Sequence, residues 1–384
     1  MLNILIVGFP AEGHVNPTLG MVKAFTERGD HVHYITTEKF KERLEGIGAI
    51  VHLHSDLIRK ASINTSIPSG IQEFFNIHIQ ISLDILRITK KLSETINFDL
   101  VIYDKFGAGE LVRDYLNIPG ISSSSSFLMP EEFFEKFSLK SNENAEKLLS
   151  QMNEEFGVSP KNMLQFMNNT GTLSIVYTSR YFQPNSSDFG EDNIFIGPSF
   201  PQRKTKNHFP LEELKGKKVL YISMGTVLDK VEQFFNICMD AFADFEGKVV
   251  IAVGEKTDFT KLKQVPENII ISSYVPQLEV LSQSDVFITH GGMNSVNEAI
   301  HFHVPLVVIP HDKDQPMVAQ RLEDLEAGYR LSKDNINIHS LRDAVKEVLS
   351  NQKYKKGIQK INESFLACGG PEEAIRRIDC ILKG

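Results

Sequence analysis

Short apolar runs alternate with amphipathic stretches along most of the chain. A run of four to eight apolar residues is typical of a strand buried on both faces, and amphipathic stretches of helical period between such runs predict crossover helices. This alternation predicts the α/β class with parallel sheets. The predicted strands are Asn3–Val7, His31–Ile35, Ile50–Leu53, Asp99–Asp104, Pro119–Ser126, Lys218–Ile222, Ile269–Ile271, Val286–Thr289 and Leu306–Ile309.

The alternation stops between Gly197 and Lys218 and then restarts. Prolines and a cluster of basic residues interrupt it there, which is the composition of a linker. The chain therefore contains two similar halves. We predict one Rossmann-like domain over residues 1–205, a second over residues 206–365, and a C-terminal helix over residues 366–384.

Two polar residues follow predicted strands of the first half. His14 lies in a loop after the first strand, because Asn16-Pro17 is a good helix start and predicts a helix over Thr18–Arg28. Asp104 ends a later strand. The carboxyl ends of parallel strands form the ligand-binding edge of such sheets. An imidazole accepts a proton best when a carboxylate holds its other nitrogen, so His14 and Asp104 are predicted to form a general-base dyad.

The turn after Val286–Thr289 concentrates polar chemistry in the second half. Two glycines allow close backbone approach to a ligand, and the helix that begins at Met293 offers unpaired N–H groups suited to phosphate. Glu298, further along the helix, can accept hydrogen bonds from sugar hydroxyls. Small and hydroxyl residues after Lys218–Ile222 suit phosphate as well. The candidate phosphate-binding residues of the first turn are His290, Gly292, Asn294 and Ser295.

The segment THGGMNSVNEAI, followed by VPLVVIPHDKDQ, resembles the signature of UDP-sugar-dependent glycosyltransferases of the GT-B fold, of the bacterial macrolide and flavonoid type. The resemblance implies two Rossmann-like domains that face a central cleft, with the last helix crossing back onto the first domain. It places the donor diphosphate on the turn at His290 and on a Ser-x-Gly-Thr segment, which here is Ser223, Gly225 and Thr226. It places the ribose on Glu298. It assigns the sugar hydroxyls to Asp314 and Gln315, and the uracil to the segment that contains Tyr274, Val275 and Gln277.

The same resemblance implies the reaction. We expect inverting glycosyl transfer from a UDP-sugar, with UDP-glucose as donor, to a hydroxyl of a small lipophilic acceptor such as a macrolide, a flavonoid or another phenol. No metal or other cofactor is expected. The chain departs from the family pattern at three positions: Tyr274 replaces a frequent tryptophan, His303 a glycine, and Val318 an asparagine.

Two other functions share this architecture. A UDP-N-acetylglucosamine 2-epimerase would need more acidic residues near the sugar and no acceptor pocket. A non-catalytic nucleotide-sugar-binding protein would not need both His14 and Asp104, and their presence disfavours it. A dehydrogenase is disfavoured because Gly107 and Gly109 lack the third glycine of the dinucleotide fingerprint, where Val112 stands.

Composition excludes several other classes. The 384 residues carry a formal net charge of −8 without a dense basic block, which argues against nucleic-acid binding. No apolar run reaches membrane-spanning length, and Met1–Gly8 is expected to be a first strand and not a signal peptide. Three cysteines without a CxxC pair indicate reduced thiols and a cytoplasmic protein. The histidine pairs 31/33 and 52/54 lack the further ligands that a metal site needs.

One long stretch leaves two interpretations open. Residues 127–169 are rich in phenylalanine and methionine, with charges interleaved. Core packing accounts for such residues, and so does an adaptable apolar acceptor pocket, because methionine and phenylalanine tolerate varied ligand shapes. The sequence does not decide which of them face a ligand.

Overall fold

A computed structural model of the chain describes residues 1–57, 71–130, 133–134, 142–200, 209–225 and 232–383. The chain divides into two compact units, Met1–Pro201 with Cys368–Gly384, and Gln202–Ala367. The domain boundary predicted at residue 205 falls in 201–208, outside the described residues.

A parallel sheet of seven strands forms the centre of the first unit, in the order β3-β2-β1-β4-β5-β6-β7. Its strands are β1 Asn3–Val7, β2 His31–Thr36, β3 Ile50–Leu53, β4 Leu100–Asp104, β5 Gly120–Ser124, β6 Leu173–Val176 and β7 Asn193–Phe195. Its helices are α1 Glu12–Arg28, α2 Glu38–Glu45, α3 Ile71–Ser93, α4 Gly109–Leu116, α5 Glu143–Phe156 and α12 Gly370–Lys383.

A parallel sheet of six strands forms the centre of the second unit, in the order β10-β9-β8-β11-β12-β13. Its strands are β8 Val219–Ser223, β9 Lys248–Ala252, β10 Ile269–Ser272, β11 Val286–Thr289, β12 Leu306–Val308 and β13 Gly328–Arg330. Its helices are α6 Glu232–Phe242, α7 Gln277–Leu281, α8 Met293–His301, α9 Gln315–Asp324, α10 Ile338–Ser350 and α11 Gln352–Leu366. The predicted α/β class with two parallel sheets is confirmed.

The last helix, α12, belongs to the first unit. Ala374 and Ile378 are fully buried and join the hydrophobic core that α1 forms with β1 and β2. At the rim of this contact, Asp379 accepts two hydrogen bonds from Arg28 Nη1, at 2.9 and 3.0 Å. The end of the chain therefore packs on the helix that follows the first strand.

The predicted start of α1 is wrong. The helix begins at Glu12, so His14 lies in its first turn and not in a loop, and Pro17 is inside the helix. The side chain of Asn16 is buried and does not cap the helix, because its Oδ1 accepts a hydrogen bond from Arg43 Nη1 at 2.5 Å. A long-range partner thus replaces the local capping interaction that the sequence pattern favours.

The chain order places a switch point in each sheet. In the first unit, β1 pairs with β2 on one side and with β4 on the other. In the second unit, β8 pairs in the same way with β9 and β11. Connections leave these central strands in opposite directions, which opens a crevice at their carboxyl ends where ligands bind in open α/β sheets. The predicted site residues that the structure describes lie at or after the carboxyl ends of strands of these two sheets.

Gly357 lies at a close contact between α11 and the backbone that follows α9. A Cβ at this buried position of α11 would lie 2.5 Å from the backbone oxygen of Leu325, which follows α9. Because backbone cannot move aside easily, Gly357→Ala should lower the free energy of unfolding by about 1–3 kcal/mol and lower the melting temperature.

Gly13→Ala is the matched control, because Gly13 is also helical but has nothing within 4 Å of an added Cβ. This control should keep or slightly raise the melting temperature, since alanine favours helix. Equal melting temperatures for the Gly357 variant and the wild type would contradict the packing argument.

Candidate active site

His14 and Asp104 meet at the switch point of the first sheet. Asp104 ends β4, whose neighbour β1 leads into α1 and His14. His14 Nδ1 lies 2.8 Å from Asp104 Oδ2, and the backbone N–H of Phe106 donates to Asp104 Oδ1 at 2.8 Å. The carboxylate accepts at Nδ1, so in the neutral ring Nδ1 carries the proton and Nε2 carries the lone pair. The predicted dyad is therefore assembled in the geometry of a general base.

Three further side chains surround the imidazole, and sequence reasoning did not assign them to the site. Ser125 Oγ lies 3.2 Å from His14 Nδ1, on the strand end next to Asp104. The ring of Phe9 is tilted at 4.8 Å from the His14 ring, and Phe106 stands edge-on at 5.4 Å. The only sequence signal for them is that each follows a strand, which many other residues also do.

A buried amide holds the loop that carries Asp104. Asn169 is 1% exposed, and its Nδ2 donates to the backbone oxygens of Asp104 and Gly107 at 3.0 and 3.1 Å. Its Oδ1 accepts from the backbone N–H of Glu110 at 3.3 Å. The Glu110 carboxylate is buried as well and accepts from Gln165 and Thr170. The hydrogen bonds of Asn169 therefore fix the backbone that carries the Asp104 carboxylate.

An apolar cavity adjoins the dyad. Its lining is almost entirely hydrophobic, with one histidine: Val7, Gly8, Phe9, Pro10, His78, Ile81, Ile85, Phe106, Gly107 and Ala108. His78 is 2% exposed, its ring stacks on Phe9 at 5.6 Å, and burial lowers its pKa to about 4. It is therefore neutral at pH 7. The cavity joins residues from β1, α3 and the loop after β4.

Residues 127–169 do not line this cavity where the structure describes them. Most of the buried ones pack in the hydrophobic core around α3 and α5, and Phe127 packs edge-on against Phe182. Phe137 lies outside the described residues. The core members are Met152, Phe156 and Phe166, with Met163 and Met167 packed against them. The core-packing interpretation therefore holds for these residues.

The two predicted phosphate turns of the second unit meet on either side of His290. A Cβ on Gly225 would lie 2.6 Å from His290 Cε1, and one on Gly292 would lie 2.7 Å from Nε2. Gly225 and Gly291 also have positive φ, at 76° and 88°. Close approach and backbone conformation therefore both require glycine here. Thr226 lies outside the described residues, and Ser223 Oγ accepts from the backbone N–H of Gly225 at 3.4 Å.

His290 is held in its neutral form. Burial is the largest cause that lowers its pKa to about 4, and the nearby His311 and Lys313 contribute to that lowering against the opposite effect of Asp312. A neutral imidazole can donate one hydrogen bond without carrying a charge. Beside it, Gly292 caps α8, and Asn294 and Ser295 are half-buried in the first turn of that helix. The turn therefore presents backbone and side-chain donors to an anion at a helix N-terminus.

Glu298 and Gln277 lie together behind this turn. Glu298 is 2% exposed and accepts a hydrogen bond from Gln277 Nε2 at 2.5 Å. Three residues earlier in the chain, Tyr274 has 41% of its surface exposed, while Val275 is buried. The segment thus combines an exposed aromatic ring with an amide that bonds to the buried Glu298 carboxylate.

The Asp314-Gln315 pair begins α9. Asp314 is the half-buried residue before the helix. Gln315 is 4% exposed, and its Oε1 accepts from the backbone N–H groups of His311 and Asp312 at 2.9 and 3.3 Å. The amide of Gln315 therefore holds its own loop, and its contact with a sugar stays a prediction.

The three departures from the family pattern have structural counterparts. His303 has φ +58°, the left-handed conformation that favours glycine, and its Nε2 lies 3.0 Å from Asn362 Nδ2. Val318 is fully buried in α9. Tyr274 keeps an exposed ring where tryptophan is frequent.

The described part of the chain lacks a clustered metal-ligand set and a membrane-spanning helix. Among its residues, no group of three or more histidine, cysteine, aspartate or glutamate side chains is arranged to hold a metal ion. None of the helices there combines the length and the apolar character needed to cross a bilayer.

Comparison with known proteins places the chain among glycosyltransferases. A family model of the erythromycin biosynthesis protein CIII-like C-terminal domain matches residues 236–381. The uncharacterized UDP-glucosyltransferase YdhE of Bacillus subtilis (strain 168) is 62% identical over 391 residues, which cover 100% of this chain and 99% of that protein. The NDP-glycosyltransferase YjiC of the same organism is 33% identical, covering 99% of this chain and 97% of its own.

A solved structure supports the same assignment. The calicheamicin glycosyltransferase CalG4 superposes with a TM-score of 0.83 at 25% identity, over 100% of this chain and 98% of that chain. The similarity thus spans both units.

The lowered pKa values of His78 and His290 predict how the stability of the fold depends on pH. The pKa values of His78 and His290 are about 4 in the folded chain, against about 6.5 when exposed in the unfolded chain. Above pH 6.5 both states are neutral, and below it only the unfolded chain takes up the protons. Stability should therefore fall as pH decreases from about 6.5 to about 4, by up to about 1.4 kcal/mol per pH unit for each histidine.

Calorimetric unfolding between pH 8 and pH 4.5 checks this expectation. His78→Gln and His290→Gln should each flatten the decline below pH 6.5 and leave a constant offset from the wild type above pH 7. Parallel curves for the wild type and both variants across the whole range would contradict it.

Proposed function

The chain belongs to the bacterial GT-B glycosyltransferases, and from that premise we propose that it transfers glucose from UDP-glucose to a hydroxyl of a small lipophilic acceptor, with inversion at the anomeric carbon. The observation that carries this proposal is the His14–Asp104 pair, with 2.8 Å between Nδ1 and Oδ2, at the switch point of the first sheet. A base in that position activates a hydroxyl nucleophile.

The reaction is a single displacement. His14 Nε2 takes the proton of the acceptor hydroxyl, whose oxygen attacks the anomeric carbon of the donor. The bond from that carbon to the diphosphate oxygen breaks, and its electron pair leaves with UDP. Attack opposite the leaving group inverts the configuration. Asp104 stabilises the imidazolium that forms and holds the ring in the orientation that presents Nε2.

The second unit supplies the donor site in this proposal. The negative charge that develops on the leaving diphosphate faces the N-terminus of α8, with Gly292, Asn294 and Ser295 in its first turn. His290 contributes a neutral donor, because its pKa is lowered to about 4. These groups stabilise a diphosphate without a metal, so we propose that none is required.

The uracil, the ribose and the sugar of the donor bind to the remaining predicted residues in this proposal. Tyr274 has an exposed ring on which a uracil can stack. Glu298 accepts from the ribose hydroxyls, and Asp314 with Gln315 binds the sugar. The names of the relatives YdhE and YjiC, a UDP-glucosyltransferase and an NDP-glycosyltransferase, support a nucleotide-sugar donor.

The small apolar cavity beside the dyad supports a lipophilic acceptor. Its lining is apolar apart from His78, and Phe9 and Phe106 join the cavity to the His14 ring. Apolar and aromatic walls favour a lipophilic acceptor, of which a macrolide, a flavonoid and another phenol are examples.

The direct test is incubation of the protein with UDP-glucose and a phenolic acceptor, followed by mass analysis. Free UDP and a glucosylated product should both appear, and excess EDTA should leave the rate unchanged. An epimerase would convert a UDP-N-acetylhexosamine without acceptor, and a non-catalytic binding protein would yield neither product. Activity that EDTA abolishes and Mg²⁺ restores would overturn the metal-independent account.

His14→Ala should lower kcat by roughly a hundred- to ten-thousandfold and leave UDP affinity nearly intact, because His14 acts on the proton and belongs to the other unit. Asp104→Asn keeps the shape but removes the charge behind the imidazolium, so it should be slow too. Because the two act together, the double variant should be little worse than His14→Ala.

Acceptor acidity provides the control for this prediction. A nitrophenol or a thiol loses its proton more readily than an alcohol, so it should recover part of the lost rate in His14→Ala. Steady-state rates with matched alcohol and nitrophenol acceptors measure the effect. Near wild-type turnover of an alcohol by both single variants would rule out His14 as the base.

A further inference from the structure

Four side chains form a continuous hydrogen-bonded row from β8 to α8. Tyr221 OH donates to Gln277 Oε1 at 3.0 Å. Gln277 Nε2 donates to Glu298 Oε2 at 2.5 Å and to Ser295 Oγ at 3.2 Å. The row links Tyr221, in the middle of β8, to the Glu298 carboxylate of α8.

The first member of the row has a fixed position. Tyr221 is 1% exposed, and its ring stacks on Phe287 of the neighbouring strand, with 4.7 Å between the ring centroids and 8° between the planes. Two packed parallel rings in a sheet interior leave the hydroxyl one direction. The position of the Tyr221 oxygen is therefore set by the fold of β8 and β11.

The Glu298 carboxylate selects one of two orientations of the Gln277 amide. The oxygen and nitrogen ends of a glutamine amide have nearly the same shape but opposite hydrogen-bonding roles. An ionised carboxylate only accepts hydrogen bonds, so the NH₂ group must face Glu298, which turns the amide oxygen toward Tyr221. Reversal would place oxygen against oxygen on the Glu298 side. Glu298 thus sets the orientation of the amide, and the Tyr221 hydroxyl stabilises it by donating to the amide oxygen.

The Gln277 amide stabilises the buried Glu298 carboxylate. Glu298 is 2% exposed, and a buried carboxylate is costly unless donors hold it. The Gln277 amide supplies one such donor at 2.5 Å and restricts the rotation of the carboxylate.

We propose that Tyr221 and Gln277 are positioning residues that aim the Glu298 carboxylate at the ribose hydroxyls, and that they thereby set a preference for ribonucleoside over 2′-deoxyribonucleoside diphosphates. The proposal rests on the function proposed above, in which Glu298 binds the ribose of a UDP-sugar. A carboxylate held in one orientation binds more tightly a ligand that places a hydroxyl within its hydrogen-bonding reach. A carboxylate free to rotate discriminates less, because it pays orientational entropy on binding.

Calorimetric titration with UDP and with 2′-deoxy-UDP tests the proposal. The wild type should prefer UDP by roughly ten- to a hundredfold, the range of one hydrogen bond to a charged group. Tyr221→Phe keeps the ring stack and removes only the hydroxyl. It should reduce that preference by about three- to tenfold through weaker UDP binding, with 2′-deoxy-UDP affinity nearly unchanged.

Two further variants show whether the row acts as a unit. Glu298→Gln should abolish most of the preference, and adding Tyr221→Phe to it should cause little further change, because the hydroxyl acts through the carboxylate. Tyr329→Phe is the matched control, since it removes a hydroxyl from β13 of the same sheet and should keep the wild-type preference. Gln277→Met serves the same test as Tyr221→Phe if that variant does not fold.

The outcomes separate the two proposals. If the wild type binds neither nucleotide, the proposed donor function fails and this inference fails with it. If the wild type binds UDP and 2′-deoxy-UDP equally, the UDP donor stands and the ribose preference is overturned. If Tyr221→Phe weakens both nucleotides by the same factor, or keeps the wild-type preference, Tyr221 has no positioning role.

Discussion

Parallel pairing of the central strands is the constraint on which the rest of the structure depends. Residues far apart in sequence come together because β1 pairs with β4, and β8 with β11, in a fixed register. His14 and Asp104 are 90 positions apart and reach hydrogen-bonding distance only because their strands end side by side. Neither site would exist if either pairing slipped, since a one-residue shift turns every side chain of a strand to the opposite face.

The two sites use opposite electrostatic solutions. The dyad of the first unit combines an imidazole with a buried carboxylate, so a positive charge that forms on His14 is stabilised at once. The turn of the second unit instead keeps His290 neutral and relies on a helix N-terminus and closely packed glycines. Charge that appears during the proposed reaction thus meets a carboxylate on one side and aligned backbone dipoles on the other.

Local patterns predicted the parts of the structure that local interactions decide. The strand Val286–Thr289 was predicted with the bounds that the structure has, because its apolar run ends sharply at His290-Gly291. The start of α1 was not, because Arg43 engages Asn16 from another helix. The strand Gly328–Arg330 is too short to show a period. Ser125 and Phe106 reach His14 through strand order and loop shape, which no single segment of sequence encodes.

The polar residues of the signature segments divide into two groups by what they contact. Gln315 holds the backbone of residues 311 and 312, and Gln277 holds Glu298. Amide side chains suit such work, because each can accept at one end and donate at the other without carrying a charge. A carboxylate or a glycine at the surface of a turn can serve a ligand only if neighbours fix its position to within a fraction of an ångström. A sequence signature therefore includes residues that hold a binding site in place as well as residues that contact the ligand. Only their hydrogen-bond partners in the structure distinguish the two groups.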